Sequence, residues 1–226
     1  MAAGERMKKH YRISLYVLLG LACVLVILRA ALPYVVLNAI NRRMADMGDY
    51  RGHVADVDVH LWRGAYSLVG LQVTKVSGKV PVPLLKAPRM DVILSGRALG
   101  HAHTRARVVF ESPVLNFVDG SGNADTQAGK GVNWHQRLQK LVPVPLDEVQ
   151  VHHGTVTFRN FISQPRVDLK MTDVEATASN LTNADRAKGT RVATLNAHAM
   201  VLGNAPLRIE SRFDPSQQYR DFSFRL

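Results

Sequence analysis

This sequence predicts a mainly β fold: an elongated, curved antiparallel sheet carried on an N-terminal transmembrane helix, with one short amphipathic helix. Three observations point to it. Ile13–Leu28 is an apolar stretch, interrupted only by Ser14, behind a basic head; apolar residues recur at every second position in short runs after residue 42, and Asn133–Leu141 shows helical spacing.

The apolar stretch is 16 residues long. At about 1.5 Å per residue it covers roughly 24 Å, a little less than a hydrocarbon core of about 30 Å. Ala30, Ala31 and Leu32 extend it past Arg29, whose stem can lie in hydrocarbon while its guanidinium reaches the headgroups. Pro33 is placed to bend the helix, and Tyr34 suits an interface. Tyr34–Ile40 then reads as a short helical exit ending at Arg42 and Arg43.

A cleaved secretory signal would end in a small-x-small site, but the one candidate, Leu28-Arg29-Ala30, has Arg29 at its centre. A buried core helix would need a polar face, and this stretch has none. An uncleaved single-pass anchor is the expectation. Arg6, Lys8, Lys9 and Arg12 crowd the near flank, whereas Arg42 and Arg43 lie well beyond Leu28. That bias puts the N-terminus in the cytoplasm and the bulk of the chain outside. The parts are a basic head (1–12), a membrane helix with its exit (13–41) and an exported domain (42–226). Cys23, the single cysteine, lies in the apolar stretch, so the exported domain relies on packing rather than disulfides.

A net charge of +11 invites a nucleic-acid reading, but residues 1–43 hold seven of the Lys and Arg against the single acid Glu5. Beyond them the basic excess is mild and dispersed. It shows no zinc-finger spacing and no basic cluster interleaved with aromatics. Nucleic acid is therefore not expected as a partner, and anionic headgroups are the natural counter-charge for the basic head.

In the exported part, Val57, Val59 and Leu61 alternate with Asp56, Asp58 and His60; Gly64 permits a turn, and Leu71 and Val73 lie on the return strand. Met90, Val92 and Leu94 form another strand, as do Ala106, Val108 and Phe110. Val149 and Val151 lead through Gly154 to Val156 and Phe158; Val167, Leu169 and Met171 follow, then Leu195–Val201 and finally Phe222–Leu226. Val118–Gly131, rich in Gly, Asp and Asn, reads as a flexible surface loop. Asn133–Leu141 puts Trp134, Leu138 and Leu141 on one side of a short helix, with Trp134 as its packing anchor or a membrane contact. Strand–glycine–strand segments at 57–73 and 149–161 echo each other and favour an extended sheet.

No reaction chemistry assembles. The chain has no G-x-S-x-G, no H-E-x-x-H and no phosphate loop. His101 and His103, and His152 and His153, lack further ligands at a firm spacing, so no metal is expected. Asp56 and Asp58 share a strand face without an acid/base partner. No enzyme activity and no cofactor are expected.

What remains is apolar surface. Val57, Val59, Leu61, Leu71, Val73, Val92, Leu94, Val108, Phe110, Val156, Phe158, Val167 and Leu169 share the apolar side of their strands. One short helix is little cover for so many. Either that face is a filled core, or it is a trough for acyl chains, at roughly 0.8 kcal/mol per buried methylene.

Several motifs are specific in combination: Leu37-Asn38, Gly48–Val59, Gly64, Leu68-Val69-Gly70-Leu71, Pro83-Leu84-Leu85, Glu111-Ser112-Pro113, Trp134, the run Val151–Asn160, Pro165–Leu169 and Ala178–Asn183. Together they resemble the family called domain of unknown function 748, related to the AsmA-like proteins of Gram-negative envelopes, over nearly the whole chain. The resemblance implies an inner-membrane helix, a periplasmic β-groove, and binding or guiding of phospholipid or another envelope lipid for outer-membrane maintenance. It carries no catalytic residues: Gly64, Gly70 and Gly154 fall at turns or close approaches, Pro113 and Pro165 at strand edges, Asn180–Asn183 in a turn. Family members continue past the position of Phe222–Leu226, so the resemblance leaves two expectations open, a shortened form or an incomplete gene product. So short a groove would need stacked copies or a larger envelope partner to form a conduit. The competing expectation is an assembly factor recruiting envelope proteins through its sheet edges.

Overall fold

Helix α1 (Ala2–Met44) runs without interruption from the basic head through the apolar stretch and past Pro33. Leu15–Met44 is long and apolar enough to cross a membrane, with a mean hydropathy of 2.5, and none of its most apolar window is buried in the protein. The computed structural model describes residues 2–45, 47–78, 80–95, 105–122, 124–127, 144–181, 193–213 and 223–225. The expected helix with Trp134, Leu138 and Leu141 lies outside them, as do His101 and His103.

Among the described residues eleven strands form one sheet. They are β1 (Tyr50–His53), β2 (Asp56–His60), β3 (Ala65–Lys75), β4 (Leu85–Ser95), β5 (Arg105–Glu111), β6 (Val114–Asp119), β7 (Leu146–Asn160), β8 (Val167–Ser179), β9 (Ala193–Val201), β10 (Ala205–Phe213) and β11 (Ser223–Arg225). The order is β1-β3-β4-β5-β7-β8-β9-β10-β11, with β2 also on β3 and β6 beside β4 and β7.

The sheet is mixed, which corrects the antiparallel expectation. Strands β5 and β6 both pair in parallel with β7. Parallel neighbours need a crossover of a dozen or more residues, and residues 120–145 supply it. Polar pairs hold this seam in register. Arg107 Nε donates to Glu148 at 2.7 Å, the buried Thr157 hydroxyl donates to Asn116 Oδ1 at 2.7 Å, and Asn160 Nδ2 donates to Asp119 at 3.1 Å.

Two local expectations also change. Leu61 falls in a 3-10 turn, Leu61–Arg63, rather than on β2. Val118 belongs to β6, and of the described residues after it Ala124, Thr126 and Gln127 bond back to the sheet instead of standing free. Gln127 is fully buried, its Nε2 donating to the carbonyls of Val82 and Asn116, and Lys75 Nζ binds the carbonyls of Ala124 and Thr126.

A single row crosses the sheet from β2 to β10: Val57, Leu68, Met90, Phe110, Val151, Ala176, Ala197, Ile209. All are apolar, so this row is apolar from end to end, although Ser211 takes the next place on the same side of β10. Its first half is covered. Val57, Leu68, Met90 and Phe110 pack with Ile40 and Met44 of α1, Met47, Val54, Leu84 and Leu146. The alternation slips by one residue at Gly70, opposite Pro88, so that Leu68 and Leu71 both turn inward. Gly70 has φ +66°, and a Cβ there would press on Ala55, so only glycine accommodates the slip.

Candidate functional site

The sequence-expected lining divides between two environments. Val57, Leu71, Val73, Val92, Val108 and Phe110 are buried in the core. Val59 and Leu94 pack against it half-buried, and Leu61 sits in the turn. On the other half, Val156, Phe158 and Val167 are half-buried and Leu169 is 40% exposed. The structure therefore brings together two groups, one on each side of the parallel seam.

Side-chain size shapes the second half. Along the row Val151–Ala176–Ala197–Ile209 the middle members are alanines, and Ala178 and Ala199 lie on the same two strands. In this one row larger residues on β7 and β10 flank alanines on β8 and β9, whereas the neighbouring rows carry Met171 on β8 and Leu195 and Val201 on β9. The row Phe117–Phe158–Leu169 continues this face to the end of the sheet. There Phe161, Ile162 and Leu202 are 52%, 54% and 66% exposed. An open depression of about 440 Å³ over β8–β10 is lined chiefly by the polar alternates of the alanine row, Glu175, Thr177, Asn196, His198, Arg208 and Glu210, and so belongs to the polar side of these strands.

The bend in β7 is pinned by a carboxylate. The register slips between Val151 and Val156, His153 has φ +54°, and Gly154 fits where a Cβ would press on Val151 and Val174. Glu175 of β8 accepts the His153 backbone N–H at 2.7 Å and lies 2.7 Å from His152 Nδ1. Partial burial pushes the Glu175 carboxyl up, but the hydrogen bonds from His153 and His152 and the nearby imidazoles outweigh it, holding it below the usual range. A lowered folded value means that this clamp stabilises fully above the unfolded value, about pH 4.3, and fades as pH falls through the folded one. Glu175→Gln should flatten the acid limb of a pH–stability profile, while parallel acid limbs for variant and parent would refute the clamp. Among the described residues no cluster of three or more His, Cys, Asp or Glu could hold a metal.

The C-terminal end of α1 packs directly on the sheet. Val36 and Leu37 pack on the core that buries Ile40 and Met44. The Asn41 side chain donates to the Val54 carbonyl at 3.0 Å and accepts the Val54 N–H at 2.8 Å, satisfying both backbone groups between β1 and β2. Tyr66, on the core face near Arg43, has its phenol pushed up to about 12 by burial, against the lowering effect of that guanidinium. A cavity of about 370 Å³ separates Val26–Pro33 of α1 from Asp58 and Val59 of β2.

Sequence reasoning missed Asn41, since nothing in a helix sequence marks an amide as a backbone clamp. It also missed Trp62, which is 98% exposed in the β2–β3 turn. No family model matches this sequence, and no curated protein matches it.

Proposed function

We propose that this chain is a non-catalytic lipid-binding protein of a Gram-negative inner membrane, AsmA-like in kind. In this reading α1 is a single-pass anchor with its N-terminus in the cytoplasm, the sheet stands in the periplasm, and the ligand is a phospholipid or other envelope lipid. One observation carries the reading: the apolar row continues past the part that α1 and its neighbours cover, onto β7–β10, where Ala176 and Ala197 carry it and Leu169 is exposed. The residues that resemble the domain of unknown function 748 family add to it. The lipid-binding stretch is thereby confined to β7–β10, because Val92, Val108 and Phe110 already have protein neighbours. An acyl chain laid along Ala176 and Ala197 would be held by area burial, at about 25 cal/mol per Å².

Protein extracted gently with its anchor should carry stoichiometric phospholipid, measured by mass spectrometry of the intact complex. A lipid-free spectrum under conditions that preserve a control lipoprotein complex would overturn the reading. The second reading, an assembly factor, is favoured by the sheet's outer edge. Strand β11 pairs only with Glu210–Arg212, leaving Ala205–Ile209 of β10 unpaired on that side among the described residues. An open edge accepts an added strand from a copy or a larger envelope protein. Lipid-free protein that recruits such a strand would favour it.

A further inference from the structure

Trp62 is the most exposed of the large apolar side chains described. Tryptophan is highly buried on average and is enriched at membrane interfaces. The geometry points to a second membrane contact: we infer that the β2–β3 turn, Leu61–Arg63, dips into the bilayer surface, with Trp62 at the boundary between headgroups and acyl chains.

The height of this turn is set by its pairing with α1. Val54 is clamped to Asn41, and Val59 faces Val26–Pro33 across the cavity, so this stretch and α1 run side by side in opposite directions. Five extended residues from Val54 to Val59 advance about 17 Å. Eleven helical residues from Asn41 to Ala30 also advance about 17 Å. The two paths agree. Trp62 lies three residues further, and at about 2 Å per residue of 3-10 turn it descends roughly 6 Å, to the level of Val26 on α1.

That level is nearly one helical turn to the membrane side of Arg29, where the apolar stretch ends. An indole at this depth has its ring among the first methylenes and its N–H among ester and phosphate oxygens. Arg63, exposed beside it, and Arg29 across the cavity supply positive charge to phosphates at the same height. The occupant of this surface is the bilayer that α1 spans, because the turn has no other place to lie once the helix is inserted. The inference rests on the anchor and is independent of acyl chains on β7–β10.

The test uses the full chain carrying Trp134→Phe, so that Trp62 is the single fluorophore, reconstituted in phosphatidylethanolamine–phosphatidylglycerol vesicles with brominated acyl chains. The expected result is blue-shifted emission, strong loss with bromines near the ester end, weaker loss with bromines near the methyl end, and little loss with aqueous iodide. Vesicle-bound protein whose emission is water-like and iodide-quenched would overturn the inference while leaving the anchor intact. Failure to float with vesicles would overturn both. Comparing Trp62→Phe with the parent, both retaining Trp134, gives the same readout by difference without altering the crossover.

Discussion

Replacing Leu68 with alanine should cost about 2–5 kcal/mol of folding stability, whereas Leu169→Ala should cost under about 1 kcal/mol and instead reduce bound lipid. The two leucines lie on the same apolar face, and their surroundings set them apart. Leu68 is wholly buried between Val57 and Met90 and beneath the end of α1. Its removal forfeits the transfer energy and leaves a cavity that neighbouring strands cannot close, because their spacing is fixed by backbone pairing. Leu169 is 40% exposed on β8, so little packing is lost. Denaturant unfolding in detergent measures the first effect, and phospholipid occupancy by mass spectrometry the second. Equal destabilisation by both substitutions would mean that the β7–β10 half is as sealed as the β2–β5 half, and the lipid reading would fall with it.

Asn41→Ala should be the most damaging single change in the anchor's exit. The Asn41 amide satisfies both the N–H and the C=O of Val54, a residue with no exposed surface. Each backbone group left buried without a partner costs about 1–3 kcal/mol. Alanine is itself a good helix former, so the loss comes from the junction and not from α1. Asn41→Asp keeps the acceptor for the Val54 N–H but sets a carboxylate oxygen against the Val54 carbonyl, so it should recover only part of the loss. The check is limited proteolysis and unfolding of the three proteins in detergent. Cleavage near residues 45–55 should rise in the order parent, Asp, Ala. Identical protection would show that packing of Ile40 and Met44 alone holds the helix to the sheet.

The long apolar helix was legible in the sequence because residues 15–28 leave no polar face. Strands bearing large alternating side chains were equally plain, as with Val57 and Val59, Met90 and Val92, or Val156 and Phe158. Strand β1 was hidden by its shortness and by Gly52, which is apolar in role but mute in pattern: a Cβ there would run into Met44. Strand β6 was hidden because Ser112 and Pro113 interrupt what is in effect one line of pairing along β7. In β10, Leu207 and Ile209 alternate with Arg208 and Glu210, but Ser211 takes the next inward place and blurs the rhythm.

The parallel seam had a signal in the length of the chain between β6 and β7, far more than a hairpin of two to five residues needs. Residue periodicity carries no information on strand direction. The candidate site was legible only in half. Alternation marks which residues share a face, but whether a face is covered depends on where α1 and the connections settle. Trp62 has a dispersed, non-periodic setting between two strands, and its meaning comes from its height along α1.

The crossover between β6 and β7 also governs the order in which the molecule can assemble. Strands β3 and β4, β7 and β8, or β9 and β10 join neighbours close in the chain, and such local pairings close quickly. The seam must wait until residues 120–145 have brought distant ends together, an entropic cost that rises as the logarithm of the loop's length. Until that moment β5 and β6 present a naked flank to every other newly made chain, so the slowest joint in the sheet is also its point of greatest hazard.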